Sequence, residues 1–256
     1  MRDQRGKPLG LALWSPRSEI SLRLLDRDAS ATIDRSWWKA RIAAANARRA
    51  TLRGRTNAWR VVHGEGDGLP SLVVDRYGEH IVTQLSSAGI EACRAEIVAA
   101  LIDLFKPSGI LARNDAGSRE REGLPRETVL LHGDVPQEIE IDEYGVRYLA
   151  APWMGQKTGA FLDQRENRHL IGQLARGSAL DCFSYHGSFA LHLARNADTV
   201  TALDASAPAL ERAAENARRN ELTNGDFVVA DAFEYLRDRE HDGTRCDTIV
   251  LDPPAF

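Results

Sequence analysis

The chain has 256 residues, 43% hydrophobic and 27% charged, the balance of a globular protein of one to two domains. No apolar run is long enough to span a bilayer, and the opening Met1-Arg2-Asp3-Gln4-Arg5 leads into no apolar signal core; a soluble, cytoplasmic protein with no membrane partner is expected. The net charge of -4 is unevenly spread: residues 1–60 hold 14 Lys and Arg against 5 Asp and Glu, and the rest hold 19 against 32.

A basic end on an acidic body points to a polyanion partner, here RNA, although an excess of 29 Arg over 4 Lys would also give a merely solvated basic surface. Near the start, Ile20, Leu22 and Leu24 alternate with Ser21 and Arg23 as in a half-buried strand. Residues 34–53 read as a helix with Trp38, Ile42 and Ala45 inward and Arg41, Arg48, Arg49 and Arg53 making one side basic. Ser71–Asp75 and His80–Leu85 flank Arg76-Tyr77-Gly78-Glu79 as a hairpin. Ile90–Phe105 has helical periodicity and stops at Lys106-Pro107-Ser108-Gly109. Gly109–Arg113 and Thr128–Leu131 are short strands, and Ile139, Ile141, Val146 and Tyr148 form a second hairpin around Glu143-Tyr144-Gly145.

Beyond about residue 155 the rhythm becomes helix, strand, helix, strand. Asp163 and Glu166 have capping-box spacing before a helix carrying Leu170, Ile171 and Leu174. Strands are predicted at Ser178–Phe183, Thr199–Asp204, Phe227–Ala230 and Asp247–Leu251, with helices at Ser188–Arg195, Pro208–Asn220 and Ala232–Arg239. This alternation predicts an α/β parallel sheet preceded by an α+β region.

Four features fall at the C-terminal ends of these strands, where open α/β sheets bind ligands. The turn from Asp181 to Phe189 has one glycine, Gly187, too few for a pyrophosphate cradle and so poor for a nucleotide-dependent oxidoreductase. It suits a donor without a diphosphate, and an ordinary strand–turn–helix explains it equally well. Asp204, 23 residues after Asp181, can accept from both ribose hydroxyls or cap a helix. Asp231 can accept from an adenine amino group, with Ala232 and Phe233 beside the ring, or cap a helix. Asp252-Pro253-Pro254-Ala255-Phe256 ends an apolar strand with two prolines that stiffen the exit, and Phe256 suits stacking on a base. Cys93, Cys182 and Cys246 form no CxxC pair, so no metal site or disulfide scaffold is expected.

The order of these segments resembles class I S-adenosylmethionine-dependent methyltransferases, and more closely the bacterial large-subunit rRNA cytosine-C5 methyltransferase family. Leu11–Ser18, Val62–Gly78 with its His63-Gly64-Glu65-Gly66-Asp67-Gly68 run, Arg119–Leu124 and Gly155–Arg168 are similar to that family, so the likeness covers nearly the whole chain. It implies a remnant of a PUA RNA-binding domain at 1–28, a central α+β domain at 29–154, and the first four strands of a Rossmann-like domain at 155–256. S-adenosyl-L-methionine is the implied cofactor and rRNA the implied partner; a homodimer is left open.

The same likeness implies residue roles. Lys157, Thr158, Phe161, Asp163, Gln164 and Arg165 would lie beside the methionine end of the cofactor. Asp181, Phe183, Tyr185 and Gly187 would form its turn, Asp204 would hold the ribose and Asp231 the adenine. Asp252, Pro253 and Pro254 would face the methyl and the target base. Cytosine C5 needs a thiolate added at C6, and no cysteine follows the prolines. The chain is therefore expected to be truncated at both ends and inactive alone. Methylation of a guanine in rRNA and a non-catalytic RNA-binding module are the alternatives.

Overall fold

In a computed structural model, which describes residues 1–253, the chain forms two compact units. One comprises Met1–Ile139 with Ala150–Leu162, the other Glu140–Leu149 with the residues from Asp163 onward. Most of the second hairpin, expected to close the central domain, thus belongs with the parallel sheet.

In the first unit, β1 (Leu11–Trp14) and β2 (Leu22–Asp26) form an antiparallel hairpin. The apolar alternation of Ile20, Leu22 and Leu24 was expected to face inward, but all three are exposed, and Leu13 and Leu25 enter the core instead. Helix α1 (Arg35–Ala47) starts at Asp34, whose side chain accepts from the Trp37 N–H at 2.8 Å. Its buried Trp38, Ile42 and Ala45 form the predicted inner stripe. There follow β3 (Ala58–His63), β4 (Leu72–Tyr77), β5 (His80–Leu85), α2 (Ala88–Glu91), α3 (Arg94–Phe105), β6 (Gly109–Asn114), α4 (Ser118–Arg121) and β7 (Glu127–Gly133). The five strands make one sheet in the order β3-β4-β5-β6-β7, antiparallel except for β5 beside β6. The single helix predicted at 90–105 is two, parted at Ala92 and Cys93. Trp38, Ile42, Ile97 and Leu101 share one core with Val62, Leu72, Ile81 and Ile110 of the sheet.

The second unit opens with β8 (Ile139–Glu143) and β9 (Val146–Ala150), then α5 (Arg165–Leu174), β10 (Ser178–Cys182), α6 (Ser188–Leu193), β11 (Thr199–Asp204), α7 (Ala207–Arg219), β12 (Gly225–Val229), α8 (Ala232–Asp242) and β13 (Thr248–Leu251). The sheet order is β12-β11-β10-β13 and every pairing is parallel. Strand alternation divides β10 between two cores: Ala179 packs with Leu193, Leu210 and Ala213, while Leu180 and Cys182 pack with Leu203 and Ala232. Among the described residues no helix is long and apolar enough to cross a membrane.

Candidate functional site

Parallel pairing puts the C-terminal ends of all four strands along one edge. Cys182 is in register with Leu203 and with Leu251, and Asp204 with Val229, so Asp231, Asp204, the turn after β10 and Asp252 follow one another along that edge. The chain leaves β10 through a turn with left-handed backbone at Phe183 (φ 61°), Tyr185 (φ 51°) and Gly187 (φ 82°). Such conformations are uncommon for side chains bearing a Cβ and gather at functional sites. Gly187 is required twice over, because an added Cβ would also meet the Ala213 Cβ at 2.8 Å.

The four carboxylates of the edge differ in their commitments. Asp181 is buried, and its Oδ2 accepts from the Ser184 hydroxyl (2.7 Å) and the Ala190 N–H (2.9 Å), tying the turn to α6. Burial, reinforced by the charges of Asp252 and Asp204, pushes its carboxyl up to about 7. Asp204 accepts from the Tyr185 N–H through Oδ2 (2.8 Å) and from the Ser206 N–H through Oδ1 (2.9 Å), which leaves each oxygen a further lone pair. Asp231 caps α8, its Oδ1 accepting from the N–H groups of Phe233 and Glu234, and its Oδ2 makes no hydrogen bond among the described residues. Beside it the Phe233 ring, 54% exposed, meets Phe183 edge to face at 6.1 Å. Asp252 and Pro253 are exposed at the end of β13. Pro254 and Phe256 lie outside the described residues.

The segment from 157 to 165 divides between the two units. In the first, Lys157 holds its ammonium 4.6 Å from the centre of the Phe161 ring. Thr158 is fully buried, its hydroxyl donating to Asp75 at 2.6 Å and bonded to the Tyr77 hydroxyl at 2.9 Å. That hydroxyl is spent on the fold of the first unit, which corrects the expectation that it faces a ligand. In the second unit Asp163 is exposed, Gln164 accepts from Asn167, and Arg165 opens α5. The expected capping box does not form: Gln164 is the N-cap, and the Glu166 carboxylate takes the hydroxyl of Tyr144 at 2.8 Å.

Behind the turn lies a polar cluster that the sequence did not announce. Glu143 accepts from Arg168 Nε (2.7 Å) and Nη2 (2.6 Å), from the Tyr148 hydroxyl (2.9 Å), and lies 3.1 Å from His192 Nε2. Burial opposes its charge, but Arg168 and His192 win, holding the carboxyl down at about 2. Next to this cluster His186 stacks on Tyr148, and both its ring nitrogens are buried without a partner among the described residues. Burial, helped by Arg168, drops its imidazole to about 3, so the ring is neutral. On the helix that carries Arg168, Leu170 and Leu174 are 57% and 61% exposed, Ile171 packs partly buried against the core, and Arg168 and Gly172 are buried.

The basic first segment is partly neutralised within its own unit. Arg35 pairs with Asp103, Arg41 with Asp26 at 2.7 Å, Arg49 grips both oxygens of Asp67 at 2.6 Å, and Arg60 holds Asp75 at 2.9 Å and 3.0 Å. The side chains of Arg53 and Arg55 are exposed and make no hydrogen bond or ion pair among the described residues. Cys182, the last residue of β10, reaches the carboxylate edge but is fully buried, and the other two cysteines lie away from that edge. Cys93 belongs to the first unit, Cys182 is buried on the α8 side of the sheet, and Cys246 precedes β13, whose far end carries Asp252.

A family model described as a methyltransferase domain matches residues 179–252, the stretch from β10 to the end of β13. The ribosomal RNA large subunit methyltransferase I of Shewanella amazonensis is 41% identical over 260 residues, covering 98% of this chain and 65% of that protein. Its counterpart in Tolumonas auensis is 40% identical, covering 99% of this chain and 66% of that protein. The chain thus spans just under two thirds of the length of these curated relatives. Among solved structures, a chain from Streptococcus mutans described as a SAM-dependent methyltransferase superposes with a TM-score of 0.84 at 24% identity, covering 99% of this chain and 67% of that one. This likeness establishes a Rossmann-like α/β fold for the chain.

Proposed function

We propose that the chain binds S-adenosyl-L-methionine along the C-terminal edge of the β10–β13 sheet and serves methyl transfer to RNA, at C5 of a cytosine in large-subunit rRNA. The observation that carries this reading is the convergence of Asp204, Asp231 and Asp252 with the left-handed turn Phe183–Gly187 on one sheet edge. The residues present fit the donor. Asp204 keeps lone pairs for two ribose hydroxyls, and Asp231 keeps Oδ2 for an amino group beside the exposed Phe233 ring. Lys157, Phe161, Asp163, Gln164 and Arg165 are assigned to the methionine end. When bound, the donor supplies an electrophilic methyl on a sulfonium.

The protein's part is to position and to exclude water. Pro253 stiffens the backbone after β13 and so orients Asp252, and Pro254 and Phe256, outside the described residues, are assigned to the target base. The hairpin β1–β2 is assigned to a PUA-like RNA-binding module. A thiolate adding to C6 would activate C5, and Cys93, Cys182 and Cys246 are not set for it, so donor binding without turnover is expected of this chain alone. Relatives named as large-subunit rRNA methyltransferases support the substrate. Titration calorimetry with S-adenosylhomocysteine and with NAD tests the reading: binding of the first and not the second is expected, and the reverse would overturn it. Robust transfer of labelled methyl to rRNA by this chain alone would overturn the assignment of the nucleophile.

A further inference from the structure

The first unit contains a groove of about 460 Å³, within the roughly 300–1,000 Å³ range of pockets that enclose nucleoside-sized ligands. Its walls come from segments far apart in sequence. His63, Glu65 and Gly66 follow β3, Ser71 and Val73 belong to the start of β4, Ile20 and Arg23 to the first hairpin, and Ser118 and Glu122 to α4 and its end. Two of the stretches singled out in the sequence, the glycine-rich run after Val62 and Arg119–Leu124, thereby meet around one space that the carboxylate edge does not use. A third is tied to it, because Arg23 donates to Ser15, Ser18 and Glu122.

The lining has the mixed character of a base-reading site. Ile20 and Val73 are apolar, His63 offers a ring, and the serines offer hydroxyls of either hydrogen-bonding sense. Glu122 is not free to act on a ligand: burial opposes its charge, but bonds from Ser18, the Ala88 N–H, Ser15 and Arg23 hold it at about 2. Glu65, by contrast, is an exposed carboxylate with no hydrogen-bond partner among the described residues. The cation of the lining, Arg23, is spent on Glu122 at 3.0 Å, and further cations stand outside. The Arg48 guanidinium donates to the Gly66 carbonyl at 3.2 Å on one rim. The Arg17 side chain lies over Gly123, next to Glu122, and makes no hydrogen bond or ion pair among the described residues. This charge order repels a phosphate from the interior and attracts one to the rim. Ser71 also keeps left-handed backbone (φ 64°), a conformation that persists where surrounding structure imposes it.

We propose that this groove receives one unstacked base of a single-stranded RNA segment, its face against Ile20 and His63 and an N–H edge on Glu65, while Arg17 and Arg48 take the flanking phosphates. The inference rests on RNA being the substrate and adds a second contact point remote from the methyl donor in sequence. It is tested on the full chain with a short mixed-sequence RNA containing 4-thiouridine, by photo-crosslinking with peptide mapping and by fluorescence anisotropy. Crosslinks are expected on the peptide containing His63–Ser71. Removing the ring in His63→Ala is expected to weaken RNA binding about tenfold, and Ser118→Trp, a surface change that fills the groove, should do the same. Arg17→Ala should lower the slope of log affinity against log salt by about one. S-adenosylhomocysteine affinity should stay unchanged in all three. If RNA binds and crosslinks elsewhere, with both His63→Ala and Ser118→Trp neutral, the groove is overturned and the RNA substrate stands. If the unaltered chain binds no RNA, both fall.

Discussion

Each oxygen of Asp204 already accepts one backbone N–H, so the carboxylate is oriented before a ligand arrives. Asp204→Ala removes charge-assisted acceptors worth about 1.5–3 kcal/mol each, and S-adenosylhomocysteine affinity should fall by about 10- to 100-fold in calorimetry. Asp181 behaves differently, for its carboxyl is drawn inward. Its folded value of about 7 lies above its ordinary 3.8, so the stability it contributes is complete below about pH 4 and is lost as pH rises through about 7. Asp181→Asn should therefore gain on the parent chain as pH rises across that window, measured by urea unfolding at a series of pH values; a difference independent of pH would refute the assignment. The positions of Asp204 and Asp231 were legible from strand ends alone. What was not legible is that Asp231 caps α8 with one oxygen while keeping the other free, or that Asp181 serves Ser184 and Ala190. Those facts depend on which way a carboxylate turns after the chain has folded.

Helix α5 shows where periodicity misleads. Of its apolar residues Ile171 packs against the core while Leu170 and Leu174 are exposed, and Arg168 and Gly172 occupy the buried side. An arginine goes inside only when an acid meets it there, and that acid, Glu143, is 25 residues earlier on a different element. Gly172 is needed because α6 passes so close that an added Cβ would lie 2.8 Å from the His192 carbonyl oxygen. Glu143→Ala would strand Arg168 without its partner, and a loss of about 3–5 kcal/mol is expected by chemical denaturation. Gly187→Ala forces a Cβ into left-handed backbone and against Ala213, and should cost about 1–3 kcal/mol in the same assay. By contrast α7 and the four parallel strands follow their local patterns closely, because apolar spacing there agrees with the packing, whereas α1 keeps its predicted stripe but ends at Ala47, short of the predicted residue 53.

At the scale of the molecule, part of the basic first segment is internal cement. Arg23, Arg35, Arg41, Arg48, Arg49 and Arg60 are held by carboxylates and are the cations least available to release counterions from RNA. Arg53→Ala with Arg55→Ala should reduce the salt slope of RNA binding more than Arg41→Ala, as read by filter binding across salt concentrations. Charge counting along the sequence could not separate these two groups, since the acids that neutralise the first lie as far away as Glu122. Among the described residues β13 is an outer strand of the second unit's sheet, where Ile249 and Leu251 are 50% and 58% exposed. An apolar ribbon of that kind is a template for self-association, through which concentrated solutions of this chain would precipitate rather than stay dispersed. Placing a lysine there, as in Ile249→Lys, would make such stacking electrostatically unfavourable and leave the protein tractable at high concentration.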